Sequence, residues 1–140
     1  QGTGLELMAN SDNVLRGGLT SKHIDIPELL RITEPNAYVP GIIAPQNESG
    51  TFCYRAGFEE FELLRINPTI NKTMIRTESP SILLAIGQGD VLLESRGETR
   101  KLTGGMSFFF PAGDDMISLS GTGTAYIARV PTGGTDDSLD

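Results

Sequence analysis

The chain has 140 residues, enough for one ordinary domain or a small domain with an appendage, and at 38% hydrophobic and 21% charged it has the composition of a folded globular protein. A net charge of −7 argues against the basic stripe of a nucleic-acid surface and against adhesion to anionic membranes, but leaves room for an anionic small molecule held by a few placed Arg and Lys side chains. One cysteine, Cys53, excludes an intrachain disulfide, and with the single histidine, His23, it cannot build a typical zinc site by itself.

The sequence opens at Gln1 and runs at once into a strand-like pattern over residues 4–9, with Leu5 and Leu7 on one face and Glu6 on the other. That abrupt start leads us to expect an upstream portion. Asn10-Ser11-Asp12-Asn13 is a turn, because such side chains bond their own backbone, and Val14-Leu15-Arg16 is a second short strand ended by Gly17-Gly18. Glu6, Asp12 and Arg16 therefore flank one turn and are expected to converge at one end of a sheet. A two-turn helix follows, with Asp25 as N-cap, Pro27 and Glu28 in the first turn, Leu29, Leu30 and Ile32 as its apolar face, and Pro35 stopping it by residue 34. Residues 34–50 carry three Pro and two Gly and read as a connecting loop with one short strand at 42–43.

Beyond residue 50 the texture changes. Residues 51–56, 61–66, 73–77, 81–86, 91–94, 99–102, 106–110, 116–119 and 125–130 read as strands. Gly-rich turns separate them, among them Gly87-Gln88-Gly89-Asp90, Arg96-Gly97, Gly104-Gly105 and Gly121-Thr122-Gly123. Strands at 8–12-residue spacing predict an all-β sandwich or barrel. Cys53 reads as a small strand thiol and Phe108-Phe109-Phe110 as core and sheet face. His23 reads as a surface or packing residue. Residues 132–140 hold almost nothing to bury and are expected to form a disordered acidic tail. No apolar run is long enough to span a bilayer, no signal peptide is legible, and the lone thiol suits a reducing, cytoplasmic setting.

Two stretches carry a family resemblance. Leu5-Glu6-Leu7-Met8-Ala9-Asn10-Ser11-Asp12-Asn13-Val14-Leu15-Arg16-Gly17-Gly18-Leu19-Thr20-Ser21-Lys22 resembles the E-x-M-A-x-S-D-N-V-x-R-x-G-x-T-x-K segment of type I mannose-6-phosphate isomerases, departing from it at Ser21, where that family usually has Pro. Gly87-Gln88-Gly89-Asp90-Val91, followed by the run from Leu102 to Gly113, resembles the closing half of a cupin. The resemblance implies a cupin-type jelly-roll sandwich with one short helix. It further implies that residues 1–30 are the last strands of a catalytic cupin domain truncated upstream, and that residues 31–131 are a C-terminal cupin without metal ligands. Zinc would belong to the full-length parent, held by ligands upstream of this chain.

The activity implied is interconversion of mannose 6-phosphate and fructose 6-phosphate. Arg16 and Asp12 are the expected catalytic residues, the guanidinium of Arg16 being suited to an enediolate or phosphate oxygen. Glu6 and Lys22 are expected to bind substrate, one through sugar hydroxyls and the other through the phosphate. Each has a plainer reading: a salt bridge for Arg16, an Asx turn for Asp12, a polar strand face for Glu6 and a surface position for Lys22. The expected partners are a sugar phosphate and the upstream catalytic domain of the same polypeptide, without nucleic acid or membrane. Alternatives are a metal-free cupin module for sugar binding or domain packing, and an isomerase acting on another sugar phosphate.

Overall fold

A computed structural model describes residues 2, 4–10, 15–48, 50–68, 72–113 and 115–132. The described residues up to Leu7 and from Ile43 onward form one compact unit, and those from Met8 to Ile42 a second.

The second unit holds the one helix among the described residues, α1 (Ile26–Ile32). Asp25 caps it, its side chain accepting from the Glu28 N–H at 3.1 Å, and Pro27 sits in the first turn where a missing N–H leaves no bond unmade. Glu28 and Arg31 pair along its exposed side, and the Thr33 hydroxyl donates to the Leu29 carbonyl at 2.6 Å to close the C-terminus. No residue of α1 is buried, although Leu29 is half-covered.

Among the described residues the first unit has ten strands: β1 (Gln46–Glu48), β2 (Thr51–Tyr54), β3 (Glu62–Ile66), β4 (Thr73–Arg76), β5 (Ser81–Ile86), β6 (Val91–Ser95), β7 (Glu98–Leu102), β8 (Ser107–Phe110), β9 (Met116–Gly121) and β10 (Thr124–Arg129). They form two antiparallel sheets, β1-β2-β3-β10-β5-β8 and β4-β9-β6-β7. From β3 to β6, and again from β7 to β10, the chain crosses between sheets at every connection. Inward positions alternate along each strand. Leu64 and Ile66 of β3, Leu83 and Ala85 of β5, and Ala125 and Ile127 of β10 meet Val91 and Leu93 of β6 and Ile117 and Leu119 of β9 in one core. These side chains, most of them at 0–2% exposure, form the apolar layer that holds the two sheets face to face.

The β6–β7 hairpin turns through Arg96 and Gly97, both at positive φ (50° and 79°), the conformation that lets a two-residue loop follow the strand twist. Elsewhere glycine answers to crowding. A Cβ on Gly104 would run into the carbonyl of Gly87, and one on Gly121, itself at φ +114°, into the carbonyl of Asp90. The Gly-rich turns legible in the sequence are thus packed backbone to backbone.

Expectations of strands in two regions change, and one expectation falls outside the described residues. Residues 4–9 alternate in burial, with Leu5 and Leu7 half-buried and Glu6 exposed, yet no strand forms there, nor at Leu15-Arg16, because a strand requires a hydrogen-bonded neighbour and none is found among the described residues. The short strand expected at 42–43 is absent: Ile42 is fully exposed, and the edge of the sheet is taken by β1, paired Gln46 to Cys53 with β2. The tail from residue 133 lies outside the described residues.

Gly121→Ala combines a backbone clash with a left-handed φ and should destabilise the fold by about 3 kcal/mol. Gly97→Ala, with open space around its Cβ, should cost only about 1 kcal/mol. Urea-unfolding midpoints of the two variants test the ranking.

Candidate functional site

The described motif residues are divided between the two units. Glu6 is exposed and belongs to the larger unit. Arg16 and Lys22 belong to the smaller unit and are both exposed; the Lys22 N–H donates to the Thr20 hydroxyl at 3.2 Å, which shapes the turn after Gly18. Asp12 lies outside the described residues. His23 is exposed. In the same unit Gly17 packs beside Leu29 of α1, so the turn that follows Arg16 is seated on the helix.

The strongest electrostatic feature lies elsewhere, in the jelly roll. Glu62 opens β3 at an inward position and is 2% exposed. Its cross-strand neighbour Arg129 on β10 donates through Nε at 2.6 Å, Arg55 just after β2 donates through Nε at 3.2 Å, and the Cys53 thiol donates at 3.4 Å. Burial pushes the Glu62 carboxyl up. The hydrogen bond and charge of Arg129, with the bonds from Arg55 and Cys53, outweigh it and hold the group below the usual carboxylate range. The Cys53 thiol is pushed up, first by burial and then by the neighbouring Glu62 charge, so it stays protonated and serves as a donor. A carboxylate left alone at this depth would be strongly unfavourable, and the two guanidiniums are what make it tolerable.

This cluster was missed in the sequence. A signal for it exists: the E-L-L-R-I run of β3 places Glu62 in phase with the core residues Leu64 and Ile66. A charge in the apolar phase of a strand demands a partner.

Among the described residues no group of three or more His, Cys, Asp or Glu side chains stands together as metal ligands would. Cys53 is engaged with Glu62, and His23 is exposed. The described residues do not fit a zinc centre. No helix among them is long and apolar enough to cross a membrane.

Two face-packed antiparallel sheets, joined by connections that cross between them, with glycine turns interlocked at the rim, define a cupin-type jelly roll. No family model matches the chain. It is, however, homologous to mannose-6-phosphate isomerases: it is 36% identical to that of Salmonella typhimurium over 132 residues, 93% of this chain and 33% of the relative, and 33% identical to that of Escherichia coli over the same shares. The solved structure of the Salmonella typhimurium enzyme bound to its substrate, fructose 6-phosphate, and a zinc atom superposes with a TM-score of 0.76 at 31% identity, covering 89% of this chain and 32% of that one. The chain spans about a third of the length of the curated relatives it matches.

Because the folded state holds Glu62 below its unfolded value, the stability this group supplies is fully present above the unfolded carboxyl pKa of about 4.3 and is lost as pH falls through the lower, folded value. Glu62→Ala, which strands Arg129 beside an apolar core, should lower stability at pH 7 by about 3 kcal/mol. Urea titrations from neutral to acid pH should show the gap between parent and variant closing below about pH 4; a gap independent of pH would show the loss to be one of packing.

Proposed function

We propose that this chain is the C-terminal portion of a type I mannose-6-phosphate isomerase, and that the longer protein interconverts mannose 6-phosphate and fructose 6-phosphate by metal-assisted aldose–ketose isomerisation. The observation that carries this reading is the homology, continuous over 93% of the chain, together with the Glu6–Lys22 motif inside it. In this reading residues 1–30 complete an upstream catalytic cupin, residues 31–131 are the C-terminal cupin, and the ligands of a zinc ion lie elsewhere in the longer protein. The setting proposed is cytoplasmic, consistent with a single unpaired thiol.

Arg16 is assigned to the oxyanion that develops when a proton moves between C1 and C2 of the sugar. Its charge is permanent and its planar fork can hold two oxygens at once. Asp12 is assigned to orient Arg16 or relay the proton. Glu6 is assigned to sugar hydroxyls, and Lys22 to attracting the phosphate as a point charge. Exposure of Arg16 and Lys22 in the described unit agrees with residues that await substrate rather than serve the core. The exposed apolar side chains of the same unit, Leu19, Val39 and Ile42 among them, agree with a segment that packs against further protein in the longer chain.

The test is conversion of mannose 6-phosphate to fructose 6-phosphate, with added zinc, by the 140-residue chain and by a version extended to the length of its relatives. The extended protein should turn over and the short chain should not. Arg16→Ala in the extended protein should lower kcat/KM by about 100-fold or more, the loss typical of a removed oxyanion donor. Zinc-dependent turnover by the short chain alone would refute the assignment, as would an extended, folded, zinc-loaded protein without activity.

A further inference from the structure

A cleft of about 330 Å³ opens in the jelly roll between β2, β3 and β10 of one sheet and β4 of the other. Three arginines, Arg55, Arg76 and Arg129, line it together with Thr51, Leu64 and Ile75. In a chain with net charge −7, three cations around one concavity reverse the local sign. The carboxylate that offsets them, Glu62, is not on the wall. It lies behind, 2% exposed, and engages Arg55 and Arg129 only through Nε. Among the described residues nothing accepts a hydrogen bond from the terminal nitrogens of either arginine. Among the described residues Arg76 pairs with Glu78 alone, at 4.0 Å, and its side chain is 63% exposed. Glu62 thus acts as a clamp: it fixes two guanidiniums by their inner nitrogens and leaves the terminal ones without an acceptor among the described residues.

We propose that this cleft binds a phosphate monoester. Three arginines face one buried carboxylate, Glu62, with Glu78 reaching only exposed Arg76 at 4.0 Å, so the cleft keeps a positive excess, and arginine forks match phosphate oxygens in pairs. The volume falls at the lower end of small-molecule sites, about 300–1,000 Å³, and leaves room for the organic group that a phosphate carries. Its lining includes none of Glu6, Arg16 and Lys22, so the site stands whether or not the isomerase reading does.

The isotope-labelled chain is titrated with inorganic phosphate, then with mannose 6-phosphate and with citrate, following the arginine Nε–H resonances and the heat of binding. Saturable shifts are expected at Arg55, Arg76 and Arg129, with mannose 6-phosphate binding at least as tightly as phosphate and citrate more weakly. Arg76→Ala, an exposed change that leaves the Glu62 clamp intact, should weaken phosphate binding about ten-fold, and Arg76→Lys should fall between, since it keeps the charge and loses the fork. Arg16→Ala should leave this binding unchanged. Absence of saturable shifts at the three arginines would overturn the proposal, as would unaltered affinity in Arg76→Ala or citrate binding as tightly as phosphate.

Discussion

Taking the carboxylate of Glu62 out of water is the constraint around which the jelly roll is organised. A buried charge must be met by partners that are themselves held in place. Here they come from three adjacent strands: Cys53 from β2, Glu62 from β3 and Arg129 from β10, with Arg55 reaching back from the end of β2. The same strands carry Leu64, Ile66, Ala125 and Ile127 into the core. The ion cluster and the apolar layer are therefore two ends of one arrangement. A register slip of one residue between β3 and β10 would turn the core residues outward and separate Arg129 from Glu62 at once.

The two compact units divide the labour unevenly. The jelly roll has a closed core and bonded buried hydroxyls, with Ser79 donating to the Val130 carbonyl and Thr77 to that of Asp115. The segment from Met8 to Ile42 has a capped helix and tight turns, and no buried side chain among its described residues. That segment carries Arg16 and Lys22. Its order comes from local devices such as the Asp25 cap and the Glu28–Arg31 pair, each a small contribution in water.

Much of the architecture was legible because the strands advertise themselves twice, by alternation and by the turns between them. Ser81–Ile86 is read to the residue, and the remaining strands from Thr51 onward to within one or two residues. The Asp25-capped helix is equally plain, since cap, first-turn Pro and terminating Pro are all local signals. What escaped has a different cause. Gln46–Glu48 has no apolar phase and is a strand only because β2 offers it a ladder, while residues 4–9 have the phase and lack the ladder. Pairing is a property of two segments, and one segment's pattern cannot supply it. The chemistry divides in the same way. Arg16, Asp12, Glu6 and Lys22 stand in a contiguous motif, whereas Arg55, Arg76 and Arg129 lie far apart in the chain and meet only once the sheets fold.

The sheet order also bears on how the molecule is made. β10 is the last of the described strands in sequence, yet it sits in the middle of the larger sheet, between β3 and β5. On a ribosome adding about 5–20 residues per second, several seconds pass between the synthesis of β3 and that of β10. During that interval both neighbours present an unpaired edge, and Glu62 waits in water for Arg129. The domain cannot mature strand by strand as it emerges. The larger sheet is completed only when β10 inserts between β3 and β5, a pairing distant in sequence and therefore slow to form.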